Sequence, residues 1–156
     1  DLGSLTPQVH KMLADSGLPG MKVLEFAFDP ASLSDYLPHR YIENCICYAG
    51  THDNNTLRGW IDEENPETLA FAREYLGIDD DADLADAVLR AGMRSKAELF
   101  IAQMQDWLGL GVDARMNTPG TVGGNWAWRM TPGSETKALA GKMRRMAYIY
   151  GRSDKK

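Results

Sequence analysis

A histidine and an aspartate, His52 and Asp53, stand side by side directly after an apolar run at residues 44–50. A short apolar run bounded by polar residues is typical of a buried strand, and strand ends carry the chemistry in parallel α/β folds. A carboxylate that accepts from two neighbouring hydroxyls forms short, charge-assisted hydrogen bonds, which suits a sugar ligand. A lone His-Asp pair is more often structural than catalytic, so the pair alone leaves both roles open.

Two other strand-like runs also end in polar side chains. Asp29 follows residues 21–28, and Gln105 with Asp106 follows residues 98–104. Because the carboxyl ends of parallel strands meet at one edge of a sheet, we expect these loops to converge with His52-Asp53 on one site.

The loop at residues 109–128 could supply further ligand contacts. Its second half offers Arg and Asn side chains, several glycines and the two aromatic faces of Trp126 and Trp128. Aromatic faces stack well on sugar rings, although either Trp could instead anchor the loop in a core. The chain lacks the glycine patterns that bind phosphate and the Gly-x-Ser-x-Gly turn of serine hydrolases.

The elements that must position these residues read as alternating strands and helices. Strands are predicted at residues 21–28, 44–50 and 98–104, and helices at residues 5–16, 66–76, 82–94 and 134–150. This order is typical of a parallel α/β sheet, and the apolar runs predict burial on both faces. We expect residues 1–156 to form a single domain fragment, since three strands are too few for a closed barrel.

Metal binding is not favoured by the cysteine and aspartate patterns. Cys45 and Cys47 lack the spacing of zinc ligands, even with His39 or His52 nearby, and are expected to be reduced core residues. The acidic residues at 79–83 lack the Gly and Glu positions of a calcium loop and are expected to cap a helix. We therefore expect neither a metal nor another cofactor.

Composition limits the possible partners. The formal charge is −5 and the pI about 5.1, which argues against nucleic-acid binding, because phosphate recognition depends on clustered Lys and Arg. A membrane span needs about 18 uninterrupted apolar residues, and no run in the sequence approaches that length. The first residues also lack the charged-then-apolar pattern that is typical of a secretion signal. The sequence predicts no membrane contact and a cytoplasmic location.

Several motifs, in order from Asp1 to about Arg129, resemble the amylomaltase (4-α-glucanotransferase, disproportionating enzyme) family. They are Asp1-Leu2-Gly3, Gly17-Leu18-Pro19-Gly20-Met21-Lys22-Val23-Leu24, Phe26-Ala27-Phe28, Tyr36-Leu37-Pro38-His39, Gly50-Thr51-His52-Asp53-Asn54, Gly59-Trp60, Gln105-Asp106, Arg115-Met116-Asn117-Thr118-Pro119-Gly120 and Gly124-Asn125-Trp126. This many long motifs in register make a chance resemblance improbable.

The resemblance implies a retaining transferase that moves α-1,4-glucan segments between maltooligosaccharides on a (β/α)8 TIM barrel, without a cofactor. This chain would be the C-terminal portion of that barrel, about strands 6 to 8. The family's nucleophile follows the fourth strand, and its general acid/base directly precedes the position of Asp1. The rest of the barrel would thus be absent from this chain, which is expected to be inactive alone.

The resemblance also implies roles for individual residues. Asp53 matches the family's transition-state-stabilising Asp, and His52 matches the sugar-binding His beside it. Asn117 matches a substrate-contacting loop Asn, and Asp1 matches an Asp on the acceptor side. Asn55 stands where many relatives have Asp, and Ala49 where Thr is frequent; both departures are peripheral.

Two alternatives stay open. The chain could be a non-catalytic glucan-binding or interaction module that shares the barrel's ancestry. It could also belong to an α-amylase-type glucan hydrolase, since those barrels place a His-Asp pair after their seventh strand. The Arg115-Met116-Asn117-Thr118-Pro119-Gly120 loop favours the transferase.

Overall fold

The computed structural model describes residues 6–32 and 34–153, and the strands of these residues form one parallel sheet. The strands are β1 (Gly20–Val23), β2 (Cys45–Tyr48) and β3 (Leu99–Ile101), paired in that order. In the register, Lys22 pairs with Cys47, which pairs in turn with Phe100. The predicted parallel α/β sheet is confirmed, and the loops after all three strands leave the same edge.

Among the described residues, one helix precedes β1, three lie between β2 and β3, and two follow β3, whereas β1 and β2 are joined by a segment with two 3-10 turns. The helices are α1 (Pro7–Ser16), α2 (Leu57–Glu63), α3 (Pro66–Leu76), α4 (Leu84–Arg94), α5 (Met104–Trp107) and α6 (Lys137–Ile149). The four predicted helices are confirmed with small shifts at their ends, whereas α2 and α5 were not predicted.

Helix ends follow the capping residues of the sequence. The Thr6 side chain accepts from the Val9 amide at the start of α1, and Asn65 accepts from the Thr68 amide at the start of α3. Gly77 ends α3 with a φ of 72°, a left-handed conformation that favours glycine. Asp80 accepts from the Ala82 amide and so caps the 3-10 turn Asp81–Asp83 ahead of α4, whereas Asp83, the N-cap residue of α4 itself, makes no such side-chain bond.

All three predicted strands are shorter than expected, and β1 and β3 lose the most residues at their C-terminal ends. β1 ends at Val23, and Leu24–Phe26 form a turn of 3-10 helix instead of extending the strand. The turn lets Leu24 and Phe28 enter the core while the Glu25 amide donates to the Ala49 carbonyl at 3.2 Å. β3 likewise ends at Ile101, because the chain turns into α5.

The sheet is covered mainly on one face. Cys45 and Cys47, which are free thiols as predicted, point to the helices and are fully buried. On the other face Leu99 is 48% and Ile101 is 40% exposed. The expectation of burial on both faces is therefore wrong for this chain, because no element among the described residues packs over these side chains.

The C-terminal helix packs on the core through one side. Met146 is buried in the core, and the partly buried Leu139, Met143 and Tyr150 pack against the same core. Ile149 stays exposed. Beyond α6, Arg152 donates to the Met93, Ser95 and Ala97 carbonyls at 2.8, 3.0 and 2.9 Å. This guanidinium fixes the chain end to the connection between α4 and β3.

Within the described residues, none of the helices has both the length and the apolar character that crossing a membrane requires.

Candidate active site

The loop after β2 is shaped by hydrogen bonds among its own residues. The amide and hydroxyl of Thr51 both donate to Asn54 Oδ1, at 3.0 and 2.8 Å. The Asp53 amide donates to Thr51 Oγ1 at 3.3 Å. Because the polar groups of this tight turn satisfy one another, the His52 and Asp53 side chains project outward, 55% and 50% exposed.

The Asp53 carboxylate meets two side chains that the sequence placed in the same site. Asn117 Nδ2 donates to Asp53 Oδ1 at 2.6 Å. His52 Nε2 lies 3.3 Å from the same oxygen. Three of the four predicted site residues thus stand together, although Asn117 is 64 positions from Asp53 in sequence.

Arg115 joins the two loops that carry these side chains. Its Nη2 donates to the Asp53 carbonyl at 2.7 Å, and its Nε donates to the Asn117 carbonyl at 2.9 Å. A planar guanidinium can make both bonds in one fixed geometry. The sequence interpretation noted this Arg only as a hydrogen-bonding group of its loop, and its position two residues before Asn117 was the available signal.

An aromatic ring completes the outer side of the site. The Trp126 ring lies 4.9 Å from the His52 ring, centre to centre, and the residue is 55% exposed. Its amide donates to the Met116 carbonyl at 2.7 Å, and its φ of 62° lies in the left-handed region. Such a conformation is costly for a bulky residue and is often retained where function needs it.

A groove of about 370 Å³ runs from this site onto the uncovered face of the sheet. Its lining residues come from the β1 segment and both loops: Met21, Val23, Phe26, Thr51, Asp53, Asn54, Asn55, Arg115 and Pro119. A second groove, of about 480 Å³, lies between α1 and β1 and contains none of the clustered site residues. Of these two grooves, only the first is lined by Asp53 and Arg115.

The other polar residues at strand ends have local or supporting contacts. Asp29 accepts from the Ala31 amide at 2.9 Å within its own turn. Gln105 is buried and donates to the Ala114 carbonyl at 3.1 Å, beneath the loop of Arg115. Asp106 is buried and accepts from the Leu57 amide at 2.8 Å, at the start of α2. Of the three strand-end sets, only His52 and Asp53 face the solvent side of the site.

Two buried carboxyls lie under the site: Asp106, whose loop the sequence interpretation expected to converge on it, and Glu25, which that interpretation did not assign to it. Burial raises the pKa of Glu25 to about 8, and burial raises the pKa of Asp106 to about 6, against the lowering effect of the Leu57 and Gln103 amides. The signal for Glu25 was a carboxyl within an otherwise apolar run. Asp1, the fourth predicted site residue, lies outside the described residues.

Comparison with known proteins gives a consistent result along the chain. The sequence profile of a family described as 4-alpha-glucanotransferase matches residues 1–136. A 4-alpha-glucanotransferase of Clostridium butyricum is 41% identical over 99% of this chain and 32% of its own length. One of Thermus thermophilus is 43% identical over 94% of this chain and 31% of its own. The chain thus spans about a third of the length of these relatives.

Solved structures agree with the sequence matches. The amylomaltase of Streptococcus agalactiae, determined in complex with acarbose, aligns with a TM-score of 0.92 and 37% identity. The alignment covers 99% of this chain and 31% of that one. The amylomaltase of Corynebacterium glutamicum aligns with a TM-score of 0.64 at 20% identity, which shows the shared fold alone.

Proposed function

Since this chain belongs to the 4-alpha-glucanotransferase family, we propose that it forms part of an enzyme that transfers α-1,4-glucan segments to glucose or maltooligosaccharide acceptors. The single observation that supports this most strongly is the Asp53 carboxylate, held beside His52 and Asn117 at the open groove. These residues occupy the positions that match the family motifs.

We propose a retaining double displacement. A carboxylate nucleophile attacks the anomeric carbon while a carboxylic acid, about 5–5.5 Å from it, protonates the departing glycosidic oxygen. An acceptor hydroxyl then breaks the glucosyl-enzyme bond and gives its proton to the same acid/base. Both of these groups belong, by family resemblance, to the part of the enzyme that precedes Asp1.

Asp53 is assigned to the transition state in this mechanism. Its exposed carboxylate can accept from hydroxyls of the transferred sugar, and these bonds strengthen as the ring distorts toward the oxocarbenium shape. His52 and Asn117, which already contact Asp53 Oδ1, are assigned to substrate binding. Asp1 is assigned to the acceptor side on the resemblance alone.

The exposed Trp126 face gives the groove a surface for a pyranose ring. Its contact with the His52 ring places that surface next to the hydrogen-bonding groups around Asp53. We assign it to stacking on a bound glucan, which is the role expected of an exposed aromatic ring beside sugar-binding polar groups.

We further propose that residues 1–156 are one fragment of a (β/α)8 barrel, with β1, β2 and β3 as its sixth to eighth strands. The half-exposed Leu99 and Ile101 support this placement, since inward-facing side chains of a barrel are buried by the remaining strands. The parent enzyme is proposed to be cytoplasmic and to act on α-1,4-glucans without nucleic-acid or membrane partners.

We expect the full-length protein to transfer glucan segments in the presence of EDTA, because the proposed chemistry uses only carboxyl groups. It would be incubated with maltotriose and labelled glucose, and label should enter maltose and longer oligosaccharides. Loss of transfer on chelation would contradict the mechanism. Release of glucose by hydrolysis alone would support an α-amylase-type hydrolase, and binding of maltotriose without any products would support a glucan-binding module.

A further inference from the structure

Glu25 lies directly beneath the start of the loop that carries Asp53. It belongs to the 3-10 turn Leu24–Phe26 that follows β1, and it is 8% exposed. A Cβ atom added to Gly50 would lie 3.0 Å from Glu25 Cδ, so only glycine leaves room for the carboxyl at this point. The Glu25 carboxyl therefore packs against the backbone where β2 passes into the loop.

A packing contact followed by hydrogen bonds connects Glu25 to Asp53. The Glu25 carboxyl and the Asn54 side chain meet at Gly50, where an added Cβ would lie 3.0 Å from both Glu25 Cδ and Asn54 Cβ. Asn54 Oδ1 accepts from the amide and hydroxyl of Thr51. Thr51 Oγ1 in turn accepts from the Asp53 amide at 3.3 Å. A displacement of the Glu25 carboxyl would thus move Asp53 through the side chains of Asn54 and Thr51.

We propose that Glu25 is a positioning residue, which holds Asp53 in its working geometry through Gly50 and Asn54; the proposal rests on the function proposed above. Asp106 fixes the far end of the same segment through the Leu57 amide. The segment of His52 and Asp53 is consequently anchored from below at both ends.

The Glu25 carboxyl acts in its protonated form at neutral pH. Burial raises its pKa to about 8; Asp106 and Glu64 add to the rise, while Asn54 and Arg115 oppose it. Among the described residues, Glu25 Oε1 and Asp106 Oδ2 have no hydrogen-bond partner. A second negative charge at this place would be unpaired and would repel Asp106, so ionisation of Glu25 should loosen the loop.

The raised pKa of Glu25 makes the folded protein less stable as the pH rises. Between the ordinary pKa of 4.5 and about 8, the unfolded chain has lost the Glu25 proton while the folded protein keeps it. The stability that this group contributes is fully present below the lower value and is lost as the pH rises through the upper one. Asp106 acts in the same direction between 3.8 and about 6.

The test compares Glu25→Gln and Glu25→Ala in the full-length protein, with the exposed Glu74→Gln as a matched control. Glu25→Gln keeps the shape of the neutral acid, so its kcat for maltotriose transfer below pH 8 should stay near wild type. Wild-type kcat should fall as the pH rises through about 8, because Glu25 then ionises, and this fall should be absent in Glu25→Gln. Glu25→Ala should lower kcat on the order of 10-fold with little change in KM, since Asp53 is displaced only slightly. Glu74→Gln should leave the profile unchanged.

Thermal unfolding across the same pH range gives a second readout that does not need activity. The difference in Tm between Glu25→Gln and wild type should grow in favour of the variant as pH rises toward 8. A wild-type protein without transfer activity would refute the proposed function, yet this Tm difference would still support the buried neutral Glu25.

Three results would overturn the proposal. One is a Glu25→Gln protein whose kcat and Tm follow wild type at every pH. Another is a Glu25→Gln protein that loses as much kcat as Glu25→Ala, because the neutral form would then not suffice. If Glu25→Ala does not fold, Gly50→Ala takes its place, since its methyl group presses on the Glu25 carboxyl, and unchanged kcat in that variant would be the third.

Discussion

Asp53→Asn in the full-length protein is expected to lower kcat for maltotriose transfer on the order of 10²–10³-fold, the usual loss when one group that stabilises a transition state electrostatically is removed. The amide is nearly isosteric with the carboxylate and can keep its contacts with Asn117 and His52 only in part. Because the lost negative charge acts mainly on the transition state, KM should change much less than kcat. Steady-state kinetics with maltotriose measure both.

The control for this experiment is Asp113→Asn, which removes an exposed carboxylate from the 3-10 turn just before Arg115. It should leave kcat and the melting curve unchanged. A near-normal kcat for Asp53→Asn, with an unaltered melting curve, would remove Asp53 from the reaction. If Asp53→Asn loses much kcat and also has a lowered Tm, kcat would be recalculated for the folded fraction of the protein before the loss is assigned to the reaction.

Replacing Arg115 by Lys is expected to lower kcat/KM by about 100-fold, the loss associated with an ångström of misplacement at a reacting centre. Arg115 bonds the Asp53 and Asn117 carbonyls from two atoms of one rigid plane, and a single ammonium cannot reach both in that geometry. Since both loops contact substrate in the proposed mechanism, KM should rise while kcat falls.

The comparison for Arg115→Lys is Arg144→Lys, at an exposed position of α6. A specific role for Arg115 predicts that only the first variant loses activity. If both variants keep wild-type kinetics, the two loops hold their positions without the guanidinium, and Arg115 has no positioning role.

Much of the sheet and four of the helices followed directly from sequence patterns. The apolar run around Cys45 and Cys47 predicted β2, and the apolar spacing of Leu84, Val88 and Ala91 predicted α4. What failed was the length of β1, because an apolar run does not distinguish a strand from a strand followed by a 3-10 turn. The turn depends on the contact of the Glu25 amide with Ala49, which is distant in sequence.

The helix α2 was missed for a related reason. It is short, and Gly59 in its interior lowers helix propensity by about 1 kcal/mol relative to Ala. In the fold, the Asn55 side chain occupies the place where a Cβ of residue 59 would lie, so glycine is required there. Tertiary packing thus overrides the local preference.

The sequence indicated the exposed part of the candidate site better than the buried part. His52 and Asp53 are adjacent, and Asn117 belongs to a motif of several residues, so each could be predicted as a site residue from the sequence alone. The link between Asn117 and Asp53 needs the fold, since it spans 64 positions. The strand-end pattern indicated the loop of Asp106, whereas Glu25 supports the site only because the 3-10 turn after β1 places it beneath the loop, and no local pattern contains that information.

The most direct test of Asp53's role is a double-mutant cycle between the enzyme and its donor. Transfer rates would be measured for wild type and Asp53→Asn with maltotriose and with an analogue whose transferred sugar lacks the 2-hydroxyl, a group whose hydrogen bonds strengthen in such transition states. If Asp53 holds that hydroxyl in the transition state, its removal should slow wild type strongly and Asp53→Asn only slightly. Equal losses in both proteins would show that the carboxylate and the hydroxyl do not interact, and would contradict the role assigned to Asp53.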